Sequence, residues 1–171
     1  RCSHCKTPIS IRYPAVELLT GVFYLLLLFK FAVTPPLFFW AVFITVLITI
    51  SFIDIDHQII PDRISLPGII IFSSAPFFLP EMTFKQSLIG IFAGGGCLYL
   101  VAAGYYFLRK QEGMGGGDIK LLAMIGAATG LKGVIFTIFT GSLMGTIGGL
   151  AMMAASKKRK IQFRIPFGPF L

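Results

Sequence analysis

Pro36-Leu37-Phe38-Phe39-Trp40-Ala41-Val42-Phe43-Ile44-Thr45-Val46-Leu47-Ile48-Thr49-Ile50-Ser51-Phe52-Ile53-Asp54-Ile55 carries its only charge next to its end. A helix rises ~1.5 Å per residue, so a run of this length spans the ~30 Å hydrocarbon layer of a bilayer. The apolar residues follow one another without the alternation of a barrel strand, which excludes a transmembrane β-barrel. The rest of the chain agrees: 56% of its 171 residues are hydrophobic, 13% are charged, and the mean hydropathy is +0.85. Ordinary soluble domains are about one-quarter charged. Disorder and a coiled coil are excluded by this composition, and a disulfide scaffold by the three cysteines. The expected fold is all-α, a polytopic membrane helix bundle.

Working outward, further spans are predicted over 15–34, 64–80, 86–108, 118–131 and 133–155, making about six transmembrane helices with 36–55. Pro35 and Pro36 separate the first two. Pro67, Gly68 and Pro76 predict a kink in the third. The fifth is short and is expected to be a part-span enclosed by other helices, where incomplete crossing is tolerated. Gly94, Gly95 and Gly96, and Gly141, Gly145 and Gly149, are read as close-packing faces. Cys97 is expected to be a small packing residue.

Charge sets the orientation. With six spans, Arg1, Lys6, Arg12, Arg63, Arg109, Lys110, Lys120, Lys157, Lys158, Arg159, Lys160 and Arg164 fall on the N-terminal side; only Lys30, Lys85 and Lys132 fall opposite. The positive-inside rule makes the N-terminal side cytoplasmic. The net charge of +8 therefore records topology and an anionic-lipid anchor at Lys157–Lys160; no nucleic-acid partner is expected.

Two acidic residues sit at span ends on that side. Asp54 closes the second span, in Phe52-Ile53-Asp54-Ile55-Asp56-His57-Gln58-Ile59-Ile60-Pro61-Asp62. Asp118 opens the fifth, in Gly113-Met114-Gly115-Gly116-Gly117-Asp118-Ile119-Lys120. Carboxylates at membrane depth are costly and usually serve a wet or functional cavity. Two that meet in low dielectric cannot both ionise easily. One then holds a proton while the other activates water, the aspartic-protease arrangement. Glycines before Asp118 let backbone approach a substrate or a neighbouring helix. A plainer reading makes them a loop and Asp118 an N-cap, which is compatible with catalysis. Asp62 is read as a cap after Pro61, and His57 as a solvated loop residue. Glu17 is read either as a functional intramembrane acid or as an interfacial partner of Arg12. A proton-coupled transporter or channel using the same aspartates, and an inactive secretion scaffold, are the competing readings.

The chain resembles the bacterial type IV prepilin peptidases, of the GxGD group of intramembrane aspartyl proteases. Asp54 with Ile60-Pro61-Asp62, and Gly115-Gly116-Gly117-Asp118-Ile119-Lys120, carry the resemblance. Arg1-Cys2-Ser3-His4-Cys5, Pro8-Ile9-Ser10, Arg12-Tyr13-Pro14-Ala15-Val16-Glu17 and Pro166-Phe167-Gly168-Pro169-Phe170 extend it. The resemblance implies a bifunctional enzyme of the bacterial cytoplasmic (inner) membrane. It would cleave the basic leader of prepilins and pseudopilins and then N-methylate the new terminus with S-adenosylmethionine. Asp54 and Asp118 carry over as the catalytic pair; proteolysis itself would need no cofactor. Asp56, Gly115, Gly117 and Lys120 are expected on the substrate side of the site or supporting it. Pro67, Pro76 and residues 109–117 are expected to gate substrate entry.

Cys2 and Cys5 form a single CxxC, half of the usual four-ligand zinc site. The family resemblance adds a second pair upstream. Residues 1–14 are accordingly expected to be the remnant of a cytoplasmic zinc-type domain, 15–171 the transmembrane peptidase domain, and the chain a fragment lacking both ends.

Overall fold

The computed structural model describes residues 10–110 and 115–155, with no side-chain description at 149 and 151–155. The described chain is α-helical, with no strand among these residues: α1 (Arg12–Phe31), α2 (Pro35–His57), α3 (Asp62–Phe72), α4 (Ala75–Phe78), α5 (Phe84–Arg109) and α6 (Gly116–Ala155). Four of these, α1, α2, α5 and α6, are long and apolar enough to cross a membrane. The chain packs as two units, Arg1–Ile48 and Thr49–Leu171.

In the first unit, α1 stops where Ala32 turns left-handed (φ 48°) and donates its N–H to the Leu28 carbonyl. The Pro35-Pro36 pair then opens α2, where fixed φ angles suit a first turn. The Tyr24 and Thr45 hydroxyls share a 2.5 Å hydrogen bond between the two helices. Phe39, Trp40 and Phe43 stack edge to face along α2. Glu17 is exposed on α1.

The second unit is built around the first limb of α6. Leu121, Leu122, Ala123, Met124, Ile125, Gly126, Ala127 and Ala128 are buried one after another, so this helix is covered on every side. Its limb, 116–129, ends at Gly130, whose φ of 69° and ψ of −171° break the helix. Only glycine adopts that region without strain. The chain reverses there, as Val134 Cγ2 would lie 2.9 Å from a Cβ built on Gly126. Leu122 and Val134 share one apolar cluster with Leu98, flanked by Ile119 and Ile138. The fifth and sixth predicted spans are thus the two limbs of a helical hairpin. The first is the enclosed short helix expected from its length.

α5 lies antiparallel to that limb at backbone contact. A Cβ on Gly90 would come within 2.8 Å of the Gly126 carbonyl carbon and of Gly130 Cα. One on Gly94 would meet the Leu122 carbonyl oxygen at 2.5 Å. Four residues forward along α5 therefore match four residues back along α6. The buried Ser87 hydroxyl donates to the Ala127 carbonyl at 2.7 Å in the same seam. Thr83 and Gln86 close a capping box at the start of α5. Of the predicted glycine face, Gly94 and Gly95 make the contact, whereas Gly96 faces open space. Cys97 is exposed, which corrects the expectation of a packing role: it points away from the seam that Gly94 and Leu98 enter.

The third predicted span differs more. α3 contains Pro67 within its 11 residues, and the chain breaks at Ser73-Ser74 before the four-residue α4, where Pro76 lies in the first turn. The interruption is therefore at the serine pair. α3 rests on α6 where Gly68 meets the Met124 side chain. Outward from these contacts, Phe92, Leu100, Phe107, Leu108, Phe136 and Phe139 are exposed, the surface of a protein whose solvent is lipid.

Candidate active site

Asp54 lies in the last turn of α2 and is buried, only 5% exposed. Gln58 ends that helix in the left-handed conformation (φ 53°) and donates its N–H to the Asp54 carbonyl at 2.8 Å. Ile59, Ile60 and an extended Pro61 lead into α3. Asp118 lies half-buried in the first turn of α6, its N–H reaching the Gly115 carbonyl at 3.2 Å. It is inside the helix and does not form the N-cap considered from the sequence. The Asp54 and Asp118 carboxylates are near enough for the charge of one to act on the other. Two acids 64 positions apart in the sequence, one in the last turn of α2 and one in the first turn of α6, thus lie within electrostatic reach of each other.

Gly117 is required by packing. A Cβ there would approach Ile60 Cβ at 2.8 Å, and Ile60 is itself buried. Gly115 differs: an added Cβ would sit 3.7 Å from Asp118 Oδ2, an ordinary contact, so its bare face lies beneath that carboxylate. Gly116 has nothing within 4 Å.

Asp62 is the first residue of α3, and Pro61 holds the cap position without any side-chain hydrogen bond. The Asp62 carboxylate accepts a 2.7 Å hydrogen bond from Lys120 Nζ, which corrects the cap reading. Both partners are partly exposed, 35% for the lysine and 57% for the aspartate, so water screens the pair. An exposed pair is worth about 0.2–1 kcal/mol of stability. Asp56 is exposed; two residues from Asp54 on one helix, it faces another direction. His57 is exposed at the last position of α2.

Of the sequence-derived site residues, Asp118 feels the charge of Asp54, Gly115 borders Asp118 Oδ2, Gly117 abuts Ile60 and Lys120 pairs with Asp62, while Asp56 is exposed. Cys2 and Cys5, and much of the expected gate at 109–117, lie outside the described residues. No group of three or more potential metal-ligating acids, histidines or cysteines occurs among those described. Sequence reading missed Ile60 as the surface under Gly117, and Asp62 as the partner of Lys120. Both lie in the Ile60-Pro61-Asp62 element, so the signal was the element itself, whose contacts no local periodicity discloses.

The model of the Type IV leader peptidase family matches residues 41–150, and that of the bacterial peptidase A24 N-terminal domain matches residues 1–31. The chain is 36% identical over its full length to a prepilin leader peptidase/N-methyltransferase of Neisseria gonorrhoeae, and 35% identical to one of Aeromonas salmonicida (strain A449). A protein of the same name from Xanthomonas campestris pv. campestris is 37% identical over 96% of the chain. The chain spans 57–58% of the length of these relatives. No solved structure matches it. The first family match takes in α2 from Ala41, α3 to α5, and α6 to Leu150, with both aspartates, and by that match the chain is a multi-pass membrane protein belonging to the type IV leader peptidase family.

Proposed function

We propose that this chain is the peptidase core of an enzyme that removes the leader of type IV prepilins and pseudopilins, with Asp54 and Asp118 as its catalytic pair. A buried Asp54 within electrostatic reach of Asp118, at the ends of two apolar helices, carries the proposal. One carboxylate is the base: it takes a proton from water as the water oxygen bonds to the scissile carbonyl carbon. The other holds a proton and gives it to the carbonyl oxygen. When the tetrahedral carbon collapses, its C–N bond breaks, the amine leaves with the proton held by the base, and one hydroxyl returns a proton to the other carboxylate as the new carboxyl C=O forms.

The basic residues that the sequence gathers on the side of these aspartates support cleavage at the cytoplasmic face of the bacterial inner membrane, with the N-terminal side cytoplasmic. The substrate would meet the site with a basic leader in water and an apolar helix in lipid. Its peptide bond must leave the helical ladder to expose the carbonyl. Asp56, exposed beside the site, is assigned to leader contact, and Gly115 and Gly117 to close backbone approach. N-methylation with S-adenosylmethionine belongs to the proposal for the whole protein, in keeping with the relatives' name. The described residues offer no glycine-rich nucleotide loop, and none is assigned to the methyl donor. Residues 1–14, with Cys2 and Cys5, are proposed as part of a cytoplasmic zinc-type domain, and 15–171 as the membrane domain.

Purified full-length protein incubated with a synthetic prepilin tests the reading. Mass spectrometry should find a single cut between leader and mature chain. An intact substrate, or cleavage at scattered positions, would contradict it.

A further inference from the structure

The connection that follows Asp54 is fastened at two points to the helix start that carries Asp118. Ile60 Cβ meets the bare face of Gly117 so closely that an added Cβ would stand 2.8 Å away. Two residues further along the connection, Asp62 Oδ1 accepts the 2.7 Å hydrogen bond from Lys120 Nζ. The first contact is a steric stop and the second is a tie, and they act on the same two segments in the same order. We propose that the Asp62–Lys120 ion pair is a latch that sets the separation of Asp54 and Asp118, making both of its members positioning residues for leader cleavage.

The inference rests on the proposed peptidase function. Chemistry separates it from the other use open to Asp62, receiving the cations of a leader. The Asp62 carboxylate is already engaged by an ammonium group, and a neutral pair attracts a basic peptide weakly. Partial exposure of both partners makes the pair a small contributor to stability. Its loss should therefore be felt in rate, since misplacing reacting groups by about 1 Å can cost about a hundredfold.

The test uses the full-length enzyme and a synthetic prepilin, with kcat and KM measured separately. Asp62→Asn and Lys120→Met should each lower kcat about tenfold while KM changes less than about twofold. Lys120→Arg, or the exchange Asp62→Lys with Lys120→Asp, should recover most of the lost rate. Spin labels on Ile55→Cys and Gly116→Cys in a background without other cysteines read the geometry independently of catalysis. Their distance distribution should be narrow in the parent and broadened by Lys120→Met. A raised KM with kcat intact, unchanged kinetics, or failure of both rescues in folded protein would overturn the latch. So would single variants that do not fold. A parent enzyme that leaves prepilin uncut would instead defeat the peptidase reading, and the label distances would still decide the latch.

Discussion

Lys120 Nζ stands 2.7 Å from Asp62 Oδ1 across 58 residues of sequence, joining the first turn of α3 to the first turns of α6. Both residues adjoin an element of the candidate site. Lys120 lies two positions after Asp118, and Asp62 two positions after the buried Ile60 that abuts Gly117. The junction is therefore held by one charged contact at its rim and one apolar contact beneath.

That apolar contact separates the glycines of the run. Gly117→Ala must displace Ile60 or α6 itself, and is expected to lower leader cleavage at least tenfold. Gly116→Ala enters open space and should remain within about twofold of the parent. Initial cleavage rates of the two variants at equal concentrations of folded protein check this.

The α5–α6 seam makes a second contrast. Gly90→Ala drives a methyl group into the Gly126 backbone, which cannot rotate away, and overpacking ordinarily costs about 1–3 kcal/mol. We expect at least that loss, or failure to fold. Gly96→Ala, on the same helix with nothing within 4 Å, should be neutral. Thermal unfolding in detergent distinguishes them.

Reversal of the chain at Gly130 depends on its backbone conformation. Gly130→Ala would hold an L-residue at φ 69° and ψ −171°, a strain of about 1–3 kcal/mol. The variant should unfold at lower temperature, with the loss concentrated in the hairpin. Hydrogen exchange around residues 126–134 should rise more than exchange in α1.

Within the same seam, Ser87→Ala removes the 2.7 Å hydrogen bond to the Ala127 carbonyl. That carbonyl lies in the last turn before the break at Gly130, where the helical ladder supplies no regular partner, so the expected cost is about 1–3 kcal/mol. Equilibrium unfolding should register this change with leader cleavage nearly unaffected.

Much of this architecture was legible in the chain. The run ending at Asp54 declared a spanning helix through length and apolarity alone. The 14-residue stretch 118–131 was too short to cross unaided, and it is the helix enclosed by the others. What was not legible depended on contacts between distant segments. Residues 64–80 are apolar enough to read as one span, yet Ser73 and Ser74 turn their hydroxyls to the Ile70 and Ile71 carbonyls and the helix stops. Gly90 and Gly126 look like any other glycines until two backbones meet. Cys97 is apolar enough for a core but lies on the outward face of α5. Asp54 and Asp118 stood out because charge is scarce in such a chain; the link between Asp62 and Lys120 had no comparable signal.

Leader cleavage is proposed to depend on Asp54 and Asp118 together. Full-length protein carrying Asp54→Asn, Asp118→Asn or Asp56→Asn, assayed on a synthetic prepilin with folding verified for each, tests this dependence most directly. No cleavage should be detected for the first two variants, and the third should retain activity. Full activity in either Asp54→Asn or Asp118→Asn would contradict the proposed dependence.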